Sequence, residues 1–380
     1  MRIEVKPKIL HWAVERSGNP AALQRKFPKL GEWLAGEEAP TMNQLEALAK
    51  ATLTPFGYFF LDEPPEEELP IPDFRTVSAR KLQRPSANLL ETIYTMQRRQ
   101  AWLRQDRLEC EAEPLAFVGN VKIADDPIAI GREMRRTAGL TDGWAAKIRT
   151  WELAVGELRR LMEELGVIAI INGVVGNNGH RKLDVEEFRG FAISDAYAPL
   201  IFVNGADAKS ARMFTLAHEF AHLWLGQSAL TDASVQTKPS EKVETWCDRA
   251  AAEFLVPEQG LRVLWPEIRA EASPFMTIAR TFKVSPIVAG RRAMDLGLVD
   301  REAFFAFYET YTRKERTEKK AAGGGDFYRI QNNRVGEMFA RQVIYAALDG
   351  RVTFKEAYSL TGLNGGAFQE YAERLGVKLP

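Results

Sequence analysis

Phe214-Thr-Leu-Ala-His218-Glu219-Phe-Ala-His222-Leu-Trp-Leu225 holds two of the chain's four histidines, four residues apart, with a glutamate directly after the first. On a helix, residues four apart stand one above the other, about 6 Å along the axis, so two imidazoles can grip one ion. Glu219 lies one position round from the pair. There a carboxylate can take a proton from a water on the metal without itself becoming a ligand, which is the logic of the H-E-x-x-H pattern of zinc peptidases. Met213, Phe214, Leu216, Ala217, Phe220, Ala221, Leu223 and Trp224 surround the pair with apolar surface. The run therefore reads as a buried helix able to hold its histidines rigidly.

Upstream, residues 151–165 repeat Leu153, Val155, Leu158, Leu161, Met162 and Leu165 at helical spacing, and Gly166 ends that helix. Three short apolar runs follow as strands, 167–171, 188–193 and 199–203. Asn204-Gly205 turns the chain, and Asp207, with Ser210 nearby, is placed to cap the helix of His218. A strand beside such a helix can offer its edge to an extended peptide, a role that suits 188–193. Two histidines leave a tetrahedral site one protein ligand short. Cys247, His180 and the carboxylates of the next helical stretch, Glu241, Glu244 and Glu253, are all chemically suitable. Tyr197 and His180 are candidates for the extra donor that stabilises charge in a transition state.

The same helix, followed by Glu244-Thr-Trp-Cys-Asp-Arg-Ala-Ala-Ala-Glu-Phe-Leu-Val-Pro257, resembles the ImmA/IrrE family of metallo-endopeptidases. Pro70-Ile-Pro-Asp-Phe-Arg-Thr76, Glu187-Phe-Arg-Gly-Phe191 and Ile201-Phe-Val-Asn204 extend the likeness. The position matching the family's third ligand is Glu244. Asp248 stands where the family usually has Asn, and Ala250 where it has Phe. The resemblance implies a zincin-like fold and one Zn2+ per chain, held by His218, His222 and Glu244, with Glu219 as general base and a bound water brought towards pKa ~7. It also implies a regulatory protease that cleaves a partner, such as a helix-turn-helix repressor, or one that acts as an antitoxin beside a toxin encoded nearby. A reading from another class is a non-proteolytic DNA- or toxin-binding regulator with a structural or idle zinc site.

The amino-terminal part, 1–65, reads as four short helices. Trp33, Gly36, Pro40-Thr41 and Gln44-Leu-Glu-Ala-Leu-Ala49 resemble the helix-turn-helix of Cro-type repressors. Its charge argues against a strong DNA reader: Lys29 is the only cation between Phe27 and Glu38, against Glu32, Glu37 and Glu38, whereas base and phosphate contacts call for amides and cations. A proline-rich acidic connector, Asp62 to Pro72, is followed by a basic helix from Pro85 to about Leu108. Residues 75–107 hold eight cations against two acids, the composition of a solvated face or of a surface for nucleic acid or an acidic partner.

The expected order is thus 1–65 helix-turn-helix domain, 66–115 linker and basic helix, 116–311 metallopeptidase, 312–325 flexible linker and 326–380 small helical unit, an α+β fold dominated by helix. With 46% hydrophobic and 27% charged residues and no net charge, the chain suits a globular protein without an overall pull towards nucleic acid. Cys110 and Cys247 are too few for a disulfide framework. The charged start, Met1-Arg-Ile-Glu-Val-Lys, has no signal-peptide pattern, and no apolar run is long enough to span a bilayer, so a cytoplasmic protein is expected.

Overall fold

The structure is a computed structural model and describes residues 2–67, 85–226, 241–317 and 327–378. These fall into two compact units, one of residues up to 94 and the other of residues from 95 onward. No helix among the described residues is long and apolar enough to cross a membrane.

The first unit is built from the helices Pro7–Arg16, Pro20–Lys26, Leu30–Ala35 and Met42–Thr52 and a 3-10 turn at Phe56–Phe60. Local chemistry sets their ends. Asn19 accepts from the amide of Ala22, Gly36 ends the third helix in the left-handed region at φ 75°, and Thr41 and Gln44 form a capping box. Ile9, Leu10, Trp12, Trp33, Leu45, Leu48 and Phe59 form the core, each at most 3% exposed. The short Leu30–Ala35 helix buries Leu30 and Trp33 and leaves Gly31 and Glu32 outside. Lys29 is engaged by Glu38 at 2.9 Å.

The second unit is organised on a three-stranded sheet. β1 (Ile168–Asn172), β2 (Val174–Val175), β3 (Asn178–Lys182), β4 (Gly190–Ile193) and β5 (Leu200–Asn204) follow in chain order. The sheet order is β1-β5-β4, with β5 parallel to β1 and antiparallel to β4, while β2 and β3 form a separate hairpin. That hairpin has no apolar alternation in β3, which is largely exposed, so periodicity gave no sign of it. Alternation divides the sheet residues between two faces. Ala169, Ile171, Ala192, Ile201 and Val203 share a core with the Lys209–Leu225 helix. On the other face Phe188, Phe191 and Phe202 cluster, the last two stacked at 5.1 Å.

The Lys209–Leu225 helix starts from Ala208 and has no side-chain cap; Asp207 accepts the amide of Ala208 and faces Arg189, so the expected aspartate cap is not made. At the far end of the unit, residues 312–317 continue the Arg301–Thr317 helix instead of beginning a flexible linker. No proline or glycine precedes Gly323 to stop it, and charge alone does not break a helix. The remainder of that expected linker, 318–325, lies outside the described residues, as does most of the connector at 68–84.

The helices Glu337–Leu348, Phe354–Thr361 and Gly365–Arg374 belong to the same compact unit as the sheet. The Ala87–Glu109 helix ties them down with cations that the sequence offered to an outside partner. Arg99, 5% exposed, donates to the carbonyls of Leu360 and Arg334 at 2.9 and 2.8 Å, capping two helix ends. Arg107 donates to the carbonyls of Gly166 and Tyr197, and Arg104 pairs with Asp195 at 3.0 Å. These three cations are engaged within the fold.

Beneath the carboxy-terminal helices lies Glu163, 5% exposed and 2.6 Å from Arg159. Gly336, at φ 87°, opens the Glu337–Leu348 helix, and a Cβ there would stand 2.8 Å from Glu163 Oε1, so only glycine fits. Burial pushes the Glu163 carboxyl up to about 7, Arg159 opposing without prevailing and Glu337 adding to the rise. A folded-state value above the unfolded one means the native protein holds this proton more tightly. The contribution is complete below the unfolded value of 4.5 and is lost as pH climbs through about 7. Glu163→Gln should remove up to about 3 kcal/mol of pH-dependent stability from that window. Thermal midpoints of parent and variant between pH 4.5 and 8 test it, and parallel profiles would refute it.

Candidate metal centre

The Lys209–Leu225 helix is held from three sides, which explains how two polar imidazoles can sit in apolar surroundings. It packs on β4 and β5, on the Trp151–Glu164 helix and on the Glu241–Leu255 helix. Phe220, between the histidines in sequence, contacts Phe117 at 5.5 Å and Phe254 at 5.9 Å. At its carboxyl end the carbonyls of Leu223 and Trp224 accept from the amides of Gly119 and Val121 at 3.0 and 3.3 Å. His218 and His222 are 1% and 7% exposed, so their orientation is fixed by packing before any ion arrives.

The two Nε2 atoms lie 3.1 Å apart. Glu244, from the facing Glu241–Leu255 helix, closes the triangle, with Oε2 3.2 Å from His218 Nε2 and Oε1 3.3 Å from His222 Nε2. Burial opposes ionisation of Glu244, but the hydrogen bonds from His218 and His222 outweigh it and hold the carboxyl well below the usual carboxylate range. One potential ligand atom from each residue falls within 4.8 Å of the others. Two neutral nitrogens and one anionic oxygen converging on a point form the donor set of a catalytic three-ligand site with one position left open. The residues fit a divalent metal.

Residues 163–294 match the model of the IrrE N-terminal-like domain, Peptidase_M78. This stretch is an M78 metallopeptidase domain. Residues 335–374 match a domain of unknown function, DUF8813. No curated protein matches the chain.

Within the M78 domain Glu253, another carboxylate chemically suited to the metal, is occupied elsewhere. Glu253, 1% exposed, pairs with Arg292, with Arg132 at 3.0 Å, and accepts the amide of Glu258 at 3.1 Å. Cys247 is fully buried in the apolar core, and Glu241 is the first residue of its helix. The two proposed transition-state donors are not joined to the cluster by any hydrogen bond. Tyr197 lies in the β4–β5 connection, where its amide donates to Asp195 at 2.8 Å and its carbonyl accepts from Arg107. His180 is exposed on β3, and its amide donates to Asn178 at 3.0 Å.

Glu219 is 4% exposed and faces the start of β4. A Cβ on Gly190 would lie 2.6 Å from Thr215 Cγ2, 2.9 Å from the Phe202 carbonyl and 3.2 Å from Glu219 Oε1. Gly190 thus lets the strand approach the helix closely enough to put backbone beside the Glu219 carboxylate. Sequence reasoning placed the strand but not this glycine. Its only signal was a glycine inside an otherwise apolar strand, which commonly marks close approach of another backbone or a ligand.

Proposed function

We propose that the protein is a zinc-dependent endopeptidase that regulates transcription by cutting a partner, either a helix-turn-helix repressor or a protein of a nearby toxin system. The observation that supports this most directly is the adjacency of His218, His222 and Glu244 to a general base beside a strand edge. When bound, zinc supplies Lewis acidity, lowering the pKa of water towards ~7 and polarising a carbonyl. His218, His222 and Glu244 hold it. Glu219 accepts the proton of the attacking water and returns it to the leaving amine nitrogen as the peptide bond breaks.

The ladder supports a route for the substrate. The Asn204 amide donates to the Arg189 carbonyl at 2.7 Å, and the register pairs Phe191 with Phe202 and Ile193 with Leu200. In an antiparallel pair hydrogen-bonded residues alternate with those whose groups point outward, so the amides and carbonyls of Gly190 and Ala192 face away from β5. An extended peptide pairing there would run past Glu219. The acidic surface of the Leu30–Ala35 helix suits the amino-terminal unit, read as a helix-turn-helix, to recognition of a protein partner more than of a DNA sequence.

The test is incubation of the full chain, loaded with Zn2+, with purified products of the neighbouring genes, followed by mass spectrometry of the fragments. One product should be cut at one or a few bonds, and a chelator should stop it. If the zinc-loaded protein leaves every such product intact, or if cutting persists after the metal is stripped, the reading falls.

A further inference from the structure

Asp248 lies one helical turn beyond Glu244 on the Glu241–Leu255 helix, so a single rigid element carries both. Its Oδ1 is 3.0 Å from His218 Nδ1, while Nε2 of the same ring faces Glu244 at 3.2 Å. A neutral imidazole has one N–H and one lone pair, and a carboxylate oxygen only accepts. A carboxylate thus stands at each ring nitrogen, and a metal that takes the Nε2 lone pair beside His222 and Glu244 leaves the hydrogen on Nδ1, where Asp248 Oδ1 is placed to accept it. We propose that Asp248 is a positioning residue for the metal centre: by accepting the Nδ1 hydrogen it fixes the tautomer and ring plane of His218 and strengthens metal binding. The proposal rests on the reading of His218, His222 and Glu244 as a metal site.

Two effects oppose each other here. Asp248 is 44% exposed, so water competes for its oxygen, which weakens a surface contact. His218 is 1% exposed, however, and a hydrogen bond from a buried ring to a charged acceptor is about twice as strong as a neutral one. The buried partner decides, because without Asp248 the Nδ1 hydrogen would be left in an enclosed place with no acceptor from this helix. Loss of such an outer partner typically lowers metal affinity by roughly 10–100-fold. An amide oxygen in the same place can accept the same hydrogen bond, which separates the contact from mere packing.

The experiment uses the full chain as Asp248→Ala, Asp248→Asn and parent. Zn2+ affinity is measured by competition with a chromogenic chelator, and the thermal midpoint of each metal-free protein is recorded alongside. Asp248→Ala should bind Zn2+ roughly 10–100-fold more weakly, with Asp248→Asn within a few-fold of the parent. The proposal is overturned if Asp248→Ala binds as the parent does. It is equally overturned if Asp248→Asn falls as far as Asp248→Ala, for then the shared acceptor is not what matters. Failure of the parent itself to bind Zn2+ would instead overturn the metal-site reading, and is seen in the same titration.

Discussion

Glu219→Gln is expected to keep the metal and lose turnover by roughly 10²–10⁴-fold, the usual size of a positioned general base. The substitution preserves volume while removing the charge and the ability to take up a proton, so the packing of Glu219 against the start of β4 survives. His218, His222 and Glu244 form the cluster without it. Metal content by atomic emission and turnover on the identified substrate must therefore separate: stoichiometric metal in both proteins, hydrolysis in the parent alone. A variant that still cuts at a rate close to the parent's would show that another group takes the proton. A variant that comes out without metal would mean that Glu219, and not Glu244, is the ligand.

What was legible in the sequence was the part whose geometry is local. His218 and His222 needed only the repeat of a helix to be brought together, and the apolar residues around them announced its burial. The three strands of the sheet were legible as apolar runs between turn residues. Glu244 was of another kind. Several residues on its helix and beyond it had suitable chemistry, and only the family likeness chose among them, because their distance from the histidines depends on how two helices cross. Tyr197 and His180 were named by residue type alone, since both can donate to an oxyanion, and the hydrogen bonds of their amides go to Asp195 and Asn178.

Gly190 was invisible for a complementary reason. Its contribution is an absent side chain, and an absence acquires meaning only when the helix opposite is in place. The destinations of Arg99 and Arg107 on the Ala87–Glu109 helix were hidden in the same way, since a sequence shows the cation but not the carbonyl that takes it. Of the two departures from the family pattern, Ala250 is fully buried where the Glu241–Leu255 helix meets Gly131, whose Cβ would stand 2.6 Å from the Ala250 carbonyl. A small residue suits so close a crossing.

Glu244→Ala carries the other large effect, and its comparison with Glu253→Ala tests the choice between two glutamates on one helix. Glu244 supplies the only carboxylate in the described cluster, and its replacement leaves two imidazoles. Affinity should fall by more than the roughly 10–100-fold that loss of an outer partner costs, enough to empty the site during dialysis. Glu253 instead balances Arg292, which is 4% exposed, and contacts Arg132 at 3.0 Å. Removing one partner of a buried pair strands the other charge, at a cost of about 3–5 kcal/mol. Glu253→Ala should thus unfold at a markedly lower temperature yet hold Zn2+ in stoichiometric amount while folded. Glu244→Ala should show the opposite pattern, with little change in the metal-free midpoint and no retained metal. If the two patterns are exchanged, the third ligand has been assigned to the wrong turn of the helix. If Glu244→Ala retains full metal after dialysis, the geometry of the triangle is not that of the metal centre.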